Sequence, residues 1–209
     1  MVFVFDLDDT ICETDKFSEK YILRFFKENN LPIKKIAENV RFAEQKFDWE
    51  NGTALNWYKT YGDDMLLNFD FKTNALSTIN NLYSMGHQII IATARSTDWH
   101  TDPETATRKW LKNNGVNFDK IYFGRVDKDN ICKDENADIF IDDDLAITQN
   151  VAAIFKACNK QNGKVFLMTT DYNKSFKTPD GVTRVFDFND FAQKVNALLP
   201  QQQKQQLSK

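Results

Sequence analysis

Two aspartates stand two positions apart, directly after an apolar run near the start of the chain. Asp6 and Asp8 belong to the motif Asp-x-Asp-x-Thr, which follows Val-Phe-Val-Phe at residues 2–5 and ends at Thr10. Carboxylates at this spacing project in related directions where a strand ends and the chain turns. An isolated pair of this kind is often a solvated turn capped by aspartate. Here the pair follows a run typical of a fully buried strand, which favours a reactive site.

Further reactive groups accompany two other apolar runs. Thr93, Ala94 and Arg95 end the second run, and the consecutive aspartates at 142–144 end the fourth. Lys128 opens the predicted helix that precedes this fourth run. Ligands of parallel α/β sheets bind at the carboxyl ends of the strands. We therefore expect all these groups to converge on one edge of a sheet.

This combination of groups is typical of phosphoryl transfer. Four or five carboxylates at one edge would repel one another without a cation, and Mg²⁺ prefers such hard oxygen ligands. A carboxylate can also act as a nucleophile and form an aspartyl-phosphate, which divides hydrolysis into two easier steps. The Thr93 hydroxyl, backbone N–H groups and the Lys128 ammonium could donate to the phosphoryl oxygens. Taken singly, Thr93 is a strand-end threonine and Lys128 a surface lysine, but in this order they indicate a phosphotransferase site.

The elements that must position these groups alternate between strands and helices. We predict strands at residues 2–5, 87–93, 120–123, 138–141 and 164–168. We predict helices at residues 73–85, 103–114, 128–136 and 148–159. Asp102 before Pro103 marks one helix start, as an N-cap followed by proline at the first helical position. The alternation predicts βαβ units and therefore a three-layer α/β/α, Rossmann-like core around a parallel sheet.

One segment, residues 14–71, interrupts this alternation. It carries amphipathic helical patterns and no convincing buried strand, so we interpret it as an insertion between the first and second strands. The core would then comprise residues 1–13 and 72–199. Residues 200–209 are rich in Gln and Lys and lack core-forming side chains, which predicts a disordered tail.

The motifs, in this order, resemble the four ordered motifs of the haloacid dehalogenase (HAD) superfamily. The resemblance implies that Asp6 is the nucleophile, Asp8 the general acid and base, and Thr93 the phosphate-binding hydroxyl. It also implies that Mg²⁺ is held by the first pair, Asp6 and Asp8, together with Asp142 and Asp143. An aspartate at position 8 favours a phosphatase over a dehalogenase, because it can protonate a leaving alcohol.

By the same resemblance, residues 14–71 are the helical cap that these enzymes insert after the first motif. Such a cap would exclude water and select the leaving group. Aromatic side chains of this cap could stack a nucleobase, although we expect most of them to form the core of the cap itself. These side chains are Phe42, Phe47, Trp49, Trp57 and Tyr58.

Two lysines compete for the third motif. Lys128 stands fifteen positions before Asp143, which is similar to the K-x14-D spacing of small bacterial nucleotidase-like members. Lys133 is too near for both lysines to face one site from a regular helix, and we favour Lys128 as the catalytic and substrate-binding lysine. Arg95 and Ala94 are assigned to substrate binding, because a guanidinium can grip a phosphate or carboxylate bidentately. Arg95 could equally hold an acidic neighbour in its loop.

Composition excludes several classes of protein. The 209 residues include 27 Lys plus Arg and 30 Asp plus Glu, a net charge of −3, whereas a nucleic-acid-coating protein carries a basic excess. Cys12, Cys132 and Cys158 form no CxxC pair, so we predict reduced core thiols without a disulfide framework or zinc site. No stretch is long and apolar enough for a bilayer span. We expect a cytoplasmic protein without a membrane partner, and its oligomeric state is left open.

The leading expectation is a Mg²⁺-dependent phosphomonoester hydrolase, similar to the 5′(3′)-deoxyribonucleotidase and bacterial nucleotidase branch. Its substrate would be a small phosphate ester such as a nucleoside monophosphate. The segment DPETATRKWL at 102–111 also resembles the 3′-phosphatase half of phage polynucleotide kinases, so a polynucleotide 3′-phosphatase is the alternative enzyme. The kinase P-loop is absent, and the net charge weighs against nucleic acid as a substrate. A non-catalytic binding or regulatory protein of this fold is the alternative from another class.

Overall fold

The computed structural model describes residues 1–49, 52–124, 127–160 and 162–199. The strands are Val2–Phe5 (β1), Gln88–Ala92 (β2), Lys120–Tyr122 (β3), Ile139–Asp142 (β4), Lys164–Met168 (β5) and Val182–Val185 (β6). The α-helices are Thr14–Glu28 (α1), Thr53–Asn68 (α2), Ala75–Ser84 (α3), Pro103–Asn113 (α4), Lys128–Asp134 (α5), Leu145–Ala157 (α6) and Phe188–Leu198 (α7). A short 3₁₀ helix spans Ala43–Lys46. The predicted disordered tail at 200–209 lies outside the described residues.

All six strands form one parallel sheet in the order β3-β2-β1-β4-β5-β6. Strand β1 lies at its centre, where Phe3 is opposite Ile89 of β2 and Ile139 of β4. The predicted strand series and its parallel arrangement are confirmed. Because the sheet is covered on both faces, its central strands are continuously apolar, and this is the signal by which the sequence revealed them.

Helices cover both faces of the sheet. Successive side chains of β1 point to opposite faces, so Phe3 and Phe5 belong to one buried cluster and Val4 to another. The first cluster includes Ile79 of α3, Trp110 of α4 and Phe191 of α7, among others. The second includes Ile131 and Cys132 of α5 with Val151 and Phe155 of α6. The expected three-layer α/β/α sandwich is thereby confirmed.

The start of helix α6 differs from the prediction. The sequence pattern placed it at residue 148, whereas the helix begins at Leu145. Asp144 is the N-cap, and its Oδ1 accepts from the backbone N–H groups of Ala146 at 2.7 Å and Ile147 at 3.0 Å. We had assigned Asp144 only to the acidic run. Its capping role explains the three extra residues of helix.

Strand β6 and helix α7 are absent from our predictions. Val182–Val185 is an edge strand whose first three residues are only partly buried, so it lacks the continuous apolar run of the inner strands. Helix α7 does carry a readable signal, because Phe188, Phe191 and Val195 are buried at helical spacing and Asp187 caps the helix by accepting from Asp190 N–H. The amphipathic spacing of these residues could have revealed the helix.

The segment between β1 and β2 is helical, as expected, and contains α1, the 3₁₀ helix and α2. It returns to the sheet beside α4. The indole Nε1 of Trp110 donates to the carbonyl oxygen of Phe69 at 3.0 Å, and the Trp110 ring stacks on Phe71 with centroids 4.5 Å apart. This contact fixes the C-terminal end of the insertion against α4. The exact division into cap (14–71) and core (1–13 and 72–199) stays a prediction.

Two expectations about cysteines and membranes can be compared with the fold. The cysteines are unpaired, as predicted, but only Cys12 and Cys132 are buried. Cys158 is exposed just after α6, so the expectation that all three are core thiols is wrong for this residue. Among the described residues, no helix combines the length and apolar character that a membrane crossing requires.

Candidate active site

A buried ion-pair triad lies at the carboxyl edge of the sheet. Asp6 follows β1, Asp142 ends β4, and Lys128 begins helix α5. The Lys128 ammonium contacts Asp6 Oδ1 at 2.5 Å and Asp142 Oδ2 at 2.7 Å. All three side chains are buried. The parallel pairing of β1 with β4 brings the two carboxylates together, and the first turn of α5 supplies their counter-charge.

Burial governs the electrostatics of this triad. Removal from water raises the pKa of Asp6 well above its usual value, and the charges of Asp142 and Asp143 add to the increase. The ammonium of Lys128 opposes this effect without cancelling it. For Lys128 itself, burial favours the neutral amine, but the two carboxylates outweigh burial and raise its pKa. The site therefore holds more negative charge than one lysine neutralises.

Asp6, Asp142 and Asp143 together have the chemistry of a metal site. One carboxylate oxygen from each lies within 4.8 Å of the others, and all three residues are buried. In the part of the chain that the structure describes, no other group of His, Cys, Asp or Glu side chains meets this criterion. An all-oxygen, anionic set of donors fits a hard divalent cation such as Mg²⁺. The excess negative charge described above would be relieved by that cation.

Asp143 is held by hydrogen bonds from two separate segments of the chain. Its Oδ1 accepts from the hydroxyl of Thr10 at 3.3 Å. Its main-chain carbonyl accepts from the Tyr172 hydroxyl and from Asn173 Nδ2, both at 2.8 Å. Burial, then the charges of Asp142 and Asp9, raise the pKa of Asp143 well above the usual value. Tyr172 and Asn173 follow β5 and were not singled out from the sequence, because neither belongs to a recognisable motif.

The insertion also reaches this edge of the sheet. Arg41, a residue of the irregular segment between α1 and the 3₁₀ helix, forms an ion pair with Asp144. Asp144 N–H in turn donates to Asp142 Oδ1 at 2.8 Å, which orients the metal-site carboxylate. Arg41 was missed by the sequence reasoning, since an isolated arginine in a polar segment carries no distinguishing pattern.

The Asp8 side chain lies outside the acidic cluster. Its Oδ1 accepts from Arg95 Nη2 and from Thr14 Oγ1, both at 2.8 Å, and its Oδ2 accepts from Arg95 Nε at 3.0 Å. Burial favours the protonated form of Asp8, but the charge and hydrogen bonds of Arg95 outweigh burial and lower its pKa. The predicted metal set thus separates into three clustered carboxylates and one, Asp8, that is paired with arginine.

Arg95 does not have the free guanidinium that the substrate-binding prediction required. In addition to its contacts with Asp8, the Arg95 guanidinium donates from Nη1 to Thr107 Oγ1 at 3.0 Å. Its Cζ lies 5.0 Å from the ring centroid of Phe69 and 5.9 Å from that of Trp110. The alternative, that it holds an acidic neighbour, matches the geometry, except that this neighbour is Asp8 in the first motif and not a residue of its own loop.

The remaining predicted residues occupy distinct places. Thr93 is fully buried directly after β2, and its Oγ1 accepts from Arg95 N–H at 3.2 Å. This leaves the hydroxyl proton without an acceptor among the described residues. Ala94 is exposed beside it. Lys133 is exposed on α5, whereas Lys128 lies in the triad, so the structure brings only Lys128 to the carboxylates.

Most aromatic side chains of the insertion are structural, as expected. Phe47 and Trp57 are buried, and the ring of Trp49 lies 4.8 Å from that of Phe26. Phe42, in contrast, is 46% exposed. Tyr58 contacts Trp99, an exposed residue of the loop after β2, with ring centroids 5.6 Å apart. Phe42 and Tyr58 therefore remain the candidates for contact with a substrate.

Several solved structures have the same architecture as this chain. A HAD family hydrolase from Deinococcus radiodurans with bound phosphate and sodium has a TM-score of 0.60 and 14% identity, over 94% of this chain and 95% of that one. A haloacid dehalogenase-like hydrolase from Streptococcus pneumoniae has a TM-score of 0.59 and 14% identity, over 92% and 97%. A predicted phosphoglycolate phosphatase from Haemophilus somnus has a TM-score of 0.56 and 17% identity, over 93% and 97%.

At these identities the likeness establishes a shared fold. The chain has the α/β fold of the HAD hydrolases and phosphatases, with similar overall length. No protein-family model and no curated protein sequence matches the chain. The chemistry of the site must therefore be argued from its own residues.

Mg²⁺ should raise the melting temperature of the wild-type protein. An ion that binds only the folded state adds RT ln(1 + [L]/Kd), about 2.7 kcal/mol at a hundredfold excess over Kd. The variant Asp143→Asn should lose most of this shift, and the exposed control Asp171→Asn should keep it. Asp8→Asn should also keep it, because the Asp8 carboxylate lies outside the cluster. An equal shift in wild type and Asp143→Asn would place the metal elsewhere.

Replacing Lys128 should destabilise the fold in the absence of metal. We expect Lys128→Met to lower the free energy of unfolding by about 3 kcal/mol at about pH 8, because it leaves buried carboxylates uncompensated. This loss of stability should be smaller at about pH 5. The pKa of Asp6 is raised in the folded state, so that state takes up a proton as the pH falls and the repulsion is relieved.

Chemical denaturation at the two pH values measures this effect. The matched control is Lys133→Met on the same helix, an exposed position at which we expect a change within about 0.5 kcal/mol. Similar losses in the two variants would contradict the assignment of Lys128 as the counter-charge.

Proposed function

We propose that this protein is a Mg²⁺-dependent phosphomonoesterase that acts through an aspartyl-phosphate on Asp6. The observation that carries the proposal is the buried triad, in which Asp6 lies beside Asp142 and shares one ammonium, Lys128. A carboxylate on the surface is solvated by water and would not need a buried lysine as its counter-charge. The HAD-type fold supports the proposal, because the solved structures that share it are named as hydrolases and phosphatases.

In the first half of the reaction, an oxygen of Asp6 attacks phosphorus and the bond to the leaving alcohol breaks. Lys128 and the free hydroxyl proton of Thr93 are suited to donate to the phosphoryl oxygens. Asp8 supplies the proton that a poor leaving group needs. In the second half, water attacks the aspartyl-phosphate and releases inorganic phosphate and the Asp6 carboxylate.

The metal would be held by Asp6, Asp142 and Asp143. When bound, Mg²⁺ supplies positive charge that reduces repulsion between these carboxylates and an anionic phosphate. The protein contributes the fixed positions of the ligands, since Thr10 and Asn173 hold Asp143 and the Asp144 N–H holds Asp142.

For the substrate we propose a small phosphate ester such as a nucleoside monophosphate, as in the nucleotidase branch. The charge of the insertion supports a small substrate. Most of its basic side chains in the described ranges already contact carboxylates, which leaves no open basic path for a polynucleotide backbone. These pairs are Lys16 with Glu13, Lys20 with Asp70, Arg24 with Glu28, Lys34 with Asp48, Lys35 with Glu19 and Glu38, Arg41 with Asp144, and Lys46 with Asp15 and Glu19.

Two alternatives make different demands on the structure. A polynucleotide 3′-phosphatase remains the alternative enzyme because of the sequence at residues 102–111. In the structure this stretch forms most of α4, where Thr107 and Trp110 contact Arg95, so these two side chains serve packing within the protein. A non-catalytic binding or regulatory protein of this fold would not require the excess negative charge around Asp6. We further propose that the protein acts in the reducing cytoplasm on a small phosphorylated substrate and without a membrane partner.

Asp6→Asn should abolish turnover while the fold survives. The substitution removes the nucleophilic charge at nearly constant volume, and we expect at least a ~10³-fold loss of kcat, as for other activated nucleophiles. This loss is measured as Mg²⁺-dependent phosphate release from a panel of phosphate esters. The control is Asp70→Asn, a variant at an exposed position. Mass spectrometry of acid-quenched protein should detect a phosphorylated Asp6 peptide in wild type only. Substantial activity in pure Asp6→Asn protein would overturn the assignment.

Mononucleotides should be better substrates than 3′-phosphorylated oligonucleotides. We expect a higher kcat/KM for the mononucleotide and only a mild dependence of its KM on ionic strength, because a single phosphate is bound. Binding through many phosphates would weaken steeply with salt. The test is to measure kcat/KM and KM for both substrates at two salt concentrations. A marked oligonucleotide preference that collapses at high salt would favour nucleic-acid end repair.

A further inference from the structure

We propose that Arg95 is a positioning residue that holds the Asp8 carboxylate as the proton acceptor for the second half of the reaction. In that step water hydrolyses the aspartyl-phosphate. This inference rests on the proposed function, and it gives Arg95 a role different from the phosphate contact expected from the sequence.

The donors around Asp8 leave one of its oxygens partly free. Oδ1 accepts from Arg95 Nη2 and Thr14 Oγ1, both at 2.8 Å, which occupies the two lone pairs of that oxygen. Oδ2 accepts from Arg95 Nε at 3.0 Å and keeps its second lone pair. The Asp8 side chain is 34% exposed, so a water molecule can approach it. Oδ2 is therefore the atom positioned to accept a proton.

Arg95 is itself immobilised. Its side chain is only 3% exposed, its third nitrogen donates to Thr107 at 3.0 Å, and its Cζ lies over the rings of Phe69 and Trp110. The Nε and Nη2 atoms through which it could grip a phosphate bidentately already donate to Asp8. An arginine fixed in this way orients another side chain more readily than it follows a substrate.

The chemical step balances within the site. The water oxygen forms a bond to phosphorus as the bond from phosphorus to the Asp6 oxygen breaks. One water proton passes to Asp8 Oδ2, Asp6 leaves as a carboxylate, and inorganic phosphate is released. In the next cycle, Asp8 returns that proton to the leaving alcohol. A nitrophenolate leaving group does not need the proton, because the anion is already a good leaving group.

This difference separates the two half-reactions with 4-nitrophenyl phosphate as the probe. For this ester, kcat/KM reports the steps up to release of nitrophenolate, and kcat also includes hydrolysis of the aspartyl-phosphate. We expect Arg95→Gln to lower kcat about 10²-fold, the usual contribution of a positioned proton acceptor. Its kcat/KM should stay within about threefold of wild type, so KM falls with kcat. Rapid mixing should show a burst of about one nitrophenolate per enzyme.

Three further variants sharpen the experiment. Arg95→Lys keeps the charge without the two-pronged contact, so it should recover part of kcat. Thr107→Val removes only the hydrogen bond from Arg95 Nη1. It should give a nitrophenolate burst smaller than that of Arg95→Gln, in a protein that melts near the wild-type temperature. Arg108→Gln is the matched control, because Arg108 lies on the same helix as Thr107 and contacts Glu104 through two nitrogens at 2.8 and 2.9 Å.

The possible results are distinguishable. A parallel fall of kcat and kcat/KM without a burst would overturn the inference, because it would mean that Arg95 binds substrate or only supports the fold. Wild-type kinetics in Arg95→Gln would overturn it as well. If Arg95→Gln does not fold, the burst in Thr107→Val decides. A wild-type protein that hydrolyses no phosphate ester in the presence of Mg²⁺ would instead contradict the proposed function.

Discussion

The structure depends on the burial of several carboxylates at one edge of a parallel sheet. Asp6 and Asp142 come together because β1 and β4 are hydrogen-bonded neighbours whose strands end at the same level. Burying an ionised carboxylate is costly unless it is paired and hydrogen-bonded. Lys128 is the cation that lies between the two carboxylates and compensates their charge. The position of helix α5, whose first residue is this lysine, follows from the same requirement.

Two acidic groups at this edge that are not in the metal cluster have their own basic partners. Asp8 is paired with Arg95, and Asp144 is paired with Arg41 from the insertion. In the part of the chain that the structure describes, Lys128 is the one basic side chain that contacts the clustered carboxylates, so they have a deficit of positive charge that Asp8 and Asp144 do not have. This contrast is the electrostatic reason for placing a divalent cation at Asp6, Asp142 and Asp143 and not at Asp8.

The sequence predicted those features that leave a mark in residue type and spacing. The inner strands were found because continuous apolar runs are needed where both faces are buried, and the reactive groups were found because they terminate these runs. Strand β6 was missed because an edge strand is only partly buried. The partner of Arg95 was also beyond prediction. The sequence predicted that the ends of the two strands meet at one edge, but not that Arg95 would pair with Asp8, 87 positions away in the chain.

Two neighbouring carboxylates of one short motif thereby acquire different chemistry from their surroundings. Asp6 is buried and shares its ammonium with Asp142, so burial and the neighbouring negative charges raise its pKa in the absence of a metal. Asp8, two residues later, has an arginine to itself, and its pKa is lowered. In the proposed reaction, Asp6 must be ionised when a phosphate ester binds, whereas Asp8 must be ionised when water attacks the aspartyl-phosphate. Lys128 contacts Asp142 at the end of β4, and Arg95 follows β2. Because β4 and β2 flank β1 in the sheet, the two basic side chains reach Asp6 and Asp8 from opposite sides.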